Sequence, residues 1–248
     1  MKKERIYAIL FVGLTLAIAL ASVRMALANP EGAEVGVLNS TRGNLSGGSI
    51  GSVYAQAGNI SELEINGTQI TKAWQGFYGN VTGNITLEDS NGQQLYKWGI
   101  GSTQGEVYAA RVNTVNFNWV NCSNASKILE EEVAMGMEET DADNISATFS
   151  TANPHPQFYV GNANITEADT CYTTYTYVSG AAQSAPYVYA EVILNDINHD
   201  IVYVSVINDT ATGFDGEAHD FQMLVPEDGH TLAEENTLTQ YYFWVELG

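Results

Sequence analysis

The feature that most restricts the fold of this chain is a period of two. Val81, Gly83, Ile85 and Leu87 alternate with Thr82, Asn84, Thr86 and Glu88. Asn91-Gly92 follows, and Leu95-Tyr96-Lys97-Trp98 returns. Successive strand side chains point to opposite faces, and Asn-Gly supplies the positive backbone angles of a tight hairpin turn. These residues therefore predict two antiparallel strands rather than a helix.

The same texture continues along the chain. Strands are expected at Glu106 to Arg111, Ile145 to Phe149, Gln157 to Val160, Tyr172 to Val178, Tyr187 to Leu194, Ile201 to Ile207 and Tyr241 to Leu247. Their Val, Ile, Tyr, Thr and Trp content suits a pleated, half-buried surface. One segment differs. Ser123 to Met137 carries Ile128, Leu129 and Val133 at helical spacing, with Ser123 or Asn124 as N-cap and Glu130 to Glu132 near the start. No repeat of solenoid or propeller period is present. The expected class is mainly β, an antiparallel β-sandwich with one short inserted helix.

The start of the chain reads as an export leader. Lys2, Lys3 and Arg5 precede an apolar run from Ile6 to Val23, and Ala26-Leu27-Ala28 forms a small-x-small cleavage site before Asn29. A retained anchor is the alternative, because 18 apolar residues can span a locally thinned bilayer. The expected organisation is leader 1–28, a Gly/Ser-rich extended arm 29–52, and a single β-sandwich domain 53–248. Apart from the leader, no segment reaches membrane-spanning length.

Charge excludes one class of partner. Removing a leader of net charge +3 from a chain of −20 leaves −23, and no Lys or Arg follows Lys127. Phosphate backbones are bound by basic residues, so nucleic acid is not a partner. An acidic surface of this kind favours solubility and cation association.

Eleven Asn-x-Ser/Thr acceptor sites begin at Asn39, Asn44, Asn59, Asn66, Asn80, Asn84, Asn121, Asn124, Asn144, Asn164 and Asn208. Composition alone would give about three. Behind an export leader, this excess points to an N-glycosylated chain outside the cell. Cys122 and Cys171 are the only cysteines, and in an exported chain they are expected to form one disulfide. Without a Cys-x-x-Cys pair, no zinc-type metal site is expected.

No catalytic constellation is evident. Gly47-Gly48-Ser49-Ile50-Gly51 matches a hydrolase string, but it lies in a Gly/Ser-rich arm, and nothing ties His155, His199, His219 or His230 to Ser49. Asp196-Ile197-Asn198-His199-Asp200 begins like a calcium loop, yet Ile201 and Ile207 occupy the places that need Gly and Glu. It reads as a turn between strands. Asp215-Gly216-Glu217 and Asp141-Ala142-Asp143-Asn144 read as solvated acidic turns with only a weak claim on calcium, so no cofactor is expected. Trp74, Trp98, Trp119 and Trp244, with 14 Tyr, suit either core packing or a sugar-stacking platform.

Three groups of residues carry a resemblance. They are Ala55-Gln56-Ala57-Gly58-Asn59-Ile60 with Thr71-Lys72-Ala73-Trp74-Gln75-Gly76-Phe77-Tyr78-Gly79-Asn80-Val81-Thr82-Gly83, then Gly105-Glu106-Val107-Tyr108-Ala109, and a closing group. The closing group holds Thr212 to Gly216, Asp220-Phe221-Gln222-Met223-Leu224-Val225-Pro226-Glu227 and Tyr241-Tyr242-Phe243-Trp244-Val245-Glu246-Leu247. Over nearly the whole mature chain it resembles a group of exported archaeal surface proteins of uncharacterised function. The resemblance implies an archaeal surface or secreted protein and carries over no catalytic residue.

The sequence thus leads to an exported, glycosylated structural or interaction protein at the cell surface, not an enzyme. Its partners would be itself or other envelope proteins, with membrane contact only through an uncleaved leader. In a sharper form, Val53 to Ile65 adds as a strand to a neighbour's open sheet edge. The alternative is an extracellular carbohydrate-binding module.

Overall fold

The computed structural model describes residues 29–43, 52–184, 187–227 and 238–248. The expected leader 1–28, the part of the expected arm at 44–51 with Asn44 and the 47–51 string, and His230 lie outside the described residues. The fold is mainly β, sandwich-like, and every strand pairing in it is antiparallel.

Among the described residues, fifteen strands run in chain order. The first five are β1 (Glu31–Gly32), β2 (Trp74–Gly79), β3 (Asn84–Glu88), β4 (Gln94–Gly99) and β5 (Gly105–Ala110). After them come β6 (Asn121–Cys122), β7 (Phe158–Val160), β8 (Ala163–Ile165), β9 (Tyr172–Tyr175) and β10 (Ala190–Asn195). The last five are β11 (Ile201–Val206), β12 (Ala211–Thr212), β13 (Ala218–His219), β14 (Phe221–Pro226) and β15 (Tyr242–Leu247). A 3-10 turn, Phe117–Trp119, and helices α1 (Ala125–Ala134) and α2 (Ile145–Thr148) complete the elements.

A seven-stranded sheet forms the centre, in the order β1-β15-β5-β11-β10-β6, with β9 sharing the outer edge of β10. Both faces of this sheet are covered. Along β5, Val107 and Ala109 enter one core while Tyr108 and Ala110 enter the other. The first core is closed by the β2–β14 pair and the helices, through Met223, Val225, Ile128 and Phe149. The second is closed by the β7–β8 hairpin and the 3-10 turn, through Phe158, Val160, Ile165 and Phe117. The first five residues of β10 and of β11 are therefore buried on both sides, which is why these runs are almost continuously apolar. Each such side chain contributes roughly 1.5–3 kcal/mol on burial.

The disulfide follows from the sheet. Cys122 in β6 pairs with Leu194, and Tyr172, next to Cys171, pairs with Ile193. Two segments docked end to end on one edge of β10 bring the cysteines together, with Cα atoms 4.7 Å apart and the bond formed.

Most expected strands are present, often shortened at their ends. Ile145 to Phe149 is the exception: it holds α2, not a strand. The Asn144 side chain accepts from Ala147 N, and Ser146 N donates to Glu132 in α1. Capping and docking on α1 override a weak β tendency. Two short helices are therefore present among the described residues where one was expected. The arm, too, is tied to the body at its start. Glu31 pairs with Val245 and Gly32 with Trp244, so β1 is an edge strand of the central sheet.

Candidate interaction surface

The hairpin expected around Asn91-Gly92 forms, and Gly92 takes a positive φ of 77° in its turn. Ile85 lies opposite Trp98 and Leu87 opposite Tyr96. Directly opposed residues share a face, so these four make one apolar face. No described residue covers it fully: Ile85, Leu87, Tyr96 and Trp98 are 49%, 50%, 59% and 47% exposed. The other face carries Asn84, Thr86 and Lys97, and Leu95, the extra residue at the bulge, is also exposed. The pair forms a separate two-stranded sheet, and no other described strand joins either of its outer edges. A lone two-stranded hairpin has little stability of its own in water, and a bare apolar face on one marks a place of contact.

A second uncovered stretch lies earlier in the chain. Every residue from 52 to 69 is exposed, and none belongs to a strand or helix. A turn at Gly58 (φ 85°) divides it. After the turn, Ser61-Glu62-Leu63-Glu64-Ile65 alternates polar and apolar residues. Ile60 and Ile65 are almost wholly in solvent. Strand-type sequence is present here without a strand.

The aromatic rings that suit either core packing or a sugar platform divide between the two settings: Tyr175 and Tyr187, both half-buried, stack with centroids 4.8 Å apart at 17°. Tyr96 and Trp98 lie 4.8 Å apart but are tilted by 55°. Trp74 is half-buried with its Nε1 donating to Asp143 O, Trp244 packs on Phe117, and Trp119 is exposed.

The acceptor asparagines divide by environment. Asn39, Asn59, Asn66, Asn80, Asn84, Asn121, Asn124, Asn164 and Asn208 are exposed. Asn144 is buried, and its Nδ2 donates to the carbonyls of Glu138 and Glu139. The Asn208 Nδ2 is also engaged, donating to Val188 O.

Sequence reasoning missed a set of buried acids. Glu106 and Glu246 face each other across the β5–β15 ladder. The Tyr108 hydroxyl lies 3.0 Å from Glu246 Oε2, and Gly161 N donates to the same oxygen at 2.9 Å. Burial and then the Glu246 charge push the Glu106 carboxyl up to about 8, and burial also raises Glu246. Glu191 is fully buried in the other core and is raised well above the usual range by desolvation. Its Oε2 accepts from Leu224 N, which ties β14 to β10. Acids in strand-like runs look solvent-facing until the register places them inside.

The charged side chains next to α1 are paired with one another. Arg111 grips Glu131 through Nε (2.9 Å) and Nη2 (2.5 Å), and Lys127 holds Glu130 at 2.6 Å. With His199 and Asp200 they line a cleft of about 240 Å³. That is smaller than a usual small-molecule site, and its cations are already neutralised.

The acidic turns are self-satisfied. Asp196 is buried, its Oδ1 accepting from Asn198 N and Asp200 N and its Oδ2 from Asn116 N. Asp215 pairs with His219, and Asp141 Oδ2 accepts from Glu138 N. His155 is buried beside Cys122 and Cys171, its ring nitrogens 2.9 Å and 3.1 Å from the carbonyls of Pro156 and Asp169. Since both sulfurs are spent in the disulfide, this trio has no thiolate to offer a metal.

No helix among the described residues is long and apolar enough to cross a membrane. Comparison with family models, with curated proteins and with solved structures finds no match to this chain.

Proposed function

We propose that this is an exported, N-glycosylated structural protein of an archaeal cell surface that assembles with copies of itself through the stretch 53–65. The observation that carries this reading is the exposed, strand-type segment between 52 and 69, which pairs with no described strand. A monomer gains nothing by keeping Val53, Tyr54, Ile60, Leu63 and Ile65 in water. Added to a sheet edge of another molecule, the same residues become buried and their backbone groups paired. The disulfide, the export leader and the acceptor asparagines support a position outside the cell. The preceding arm supports the mode, because β1 already extends the central sheet by strand addition within the chain.

The test is removal of residues 52–65 alone, which leaves β1 in place. Light scattering and negative-stain microscopy should show assemblies of the full mature chain, and a monomer with unchanged circular dichroism for the deletion. Assembly that survives the deletion overturns the proposal.

A further inference from the structure

An added strand needs an acceptor, and the structure carries one whose pattern matches. Resting on the assembly reading above, we infer that segment 60–65 of one copy pairs with the free edge of β4 in a second copy, Glu64 opposite Lys97. The occupant is a second copy of this chain and the acceptor is the β3–β4 hairpin.

The argument starts from phase. In an antiparallel addition with Glu64 opposite Lys97, Ile65 falls opposite Tyr96 and Leu63 opposite Trp98. Opposed residues share a face, so Leu63 and Ile65 join the bare apolar face of Ile85, Leu87, Tyr96 and Trp98. Glu62 and Glu64 fall on the polar face beside Lys97 and Thr86. A one-residue slip would put both acids on the apolar face, so the pattern fixes the phase, and the Glu64–Lys97 pair selects the register within it.

Charge points the same way. The mature chain has only five Lys and Arg against 28 acids. Lys97 is exposed and makes no ion pair among the described residues. Glu62 and Glu64 are likewise exposed, apart from a 3.4 Å contact of Glu64 with the Asn66 amide. A cation in a strand of an otherwise acidic chain, facing two acids in a segment that lacks a partner, is a complementary pair across two molecules.

The acceptor sites fit this arrangement. Asn84 is on the polar face of the hairpin, and Asn66 is in phase with Glu62 and Glu64. Asn59 stands at the turn before the segment. Glycan at Asn66 or Asn84 leaves the shared apolar face clear. Because the donor and acceptor surfaces differ, the contact is head-to-tail and adds copies without a built-in stop.

Charge exchange tests the pairing on the full mature chain. Lys97→Glu should raise the concentration for half-maximal assembly by about tenfold, and so should Glu62→Lys with Glu64→Lys. Combining all three substitutions should restore assembly toward that of the unaltered chain. Trp98→Asp should also block assembly while leaving the monomer folded, as the hairpin lies outside both cores. If the 52–65 deletion blocks assembly while Lys97→Glu and Trp98→Asp assemble normally, self-assembly through the segment stands and the hairpin acceptor is wrong. Failure of the triple variant to recover, with each parent impaired, also overturns the pairing. If the deletion itself assembles, both proposals fall together.

Discussion

Glu106 and Glu246 sit directly opposite each other on β5 and β15, both buried, with the Tyr108 hydroxyl 3.0 Å from Glu246. Two like charges in a desolvated site cannot both be held cheaply, so one carboxyl keeps its proton. Glu106, raised to about 8, is that group. Proton retention here makes stability depend on pH in an unusual direction. The folded chain binds a proton that the unfolded chain releases near the ordinary Glu value of 4.5. Stability from this pair is complete below that value, declines as pH rises, and is lost once pH passes about 8.

Glu106→Gln should remove that slope. Gln is neutral at every pH and keeps a similar shape, so the variant should be more stable than the parent at pH 8.5, by an amount on the order of 1–3 kcal/mol. Urea unfolding of both forms at pH 5 and pH 8.5 checks this. A parent whose stability does not fall between those values contradicts it.

The disulfide should matter as much as any single core residue. It joins residues 49 apart in sequence, and on the chain-entropy model a loop of that length contributes roughly 4 kcal/mol. The paired substitution Cys122→Ala with Cys171→Ala should shift the urea midpoint accordingly while leaving the circular dichroism spectrum of the folded state unchanged.

Among the acceptor sites, Asn144 should be found unmodified. Its amide nitrogen is committed to two carbonyls inside the protein, and its oxygen caps α2. Peptide mapping of protein purified from its source should find glycan at exposed sites such as Asn66 and Asn84 and none at Asn144. Asn144→Ala should cost about 1 kcal/mol through the lost cap.

Gly105→Ala should be among the most damaging small changes in the chain. Gly105 has φ 123°, and a Cβ there would lie 2.0 Å from the Glu246 carbonyl oxygen. The β5–β15 ladder would have to shift, at a cost of about 3 kcal/mol or more. Gly32→Ala, with open space around it, provides the control and should be near neutral. Thermal unfolding of the two variants compares them.

Local chemistry was readable from sequence where it acts alone. The Asn91-Gly92 hairpin and the helix capped by Asn124 form as expected, because turn and cap preferences need no distant partner. Ile145 to Phe149 reads as a strand for the same reason in reverse: its helix is docked on Glu132 from another element. β2 and β14 gave little signal. Gly76 and Gly79 interrupt the first, Pro226 ends the second, and each finds its partner about 150 residues away, as Gly79 does in Phe221. The Glu106–Glu246 pair was equally hidden, since only the β5–β15 register makes the two acids neighbours. For the interaction surface, the sequence supplied segment 53–65 and the hairpin separately. What it lacked was the knowledge that the fold leaves both uncovered.

The position of β15 has a kinetic consequence. It lies inside the central sheet, between β1 from the beginning of the described chain and β5. Until residues 242–247 are available, β1 has no strand to join and one edge of β5 is open. Contacts of such large sequence separation form slowly, because a long loop must close before they contribute. The sheet therefore cannot be completed piecemeal as the chain emerges. Closure of the sheet waits for β15, whichever elements pair before it.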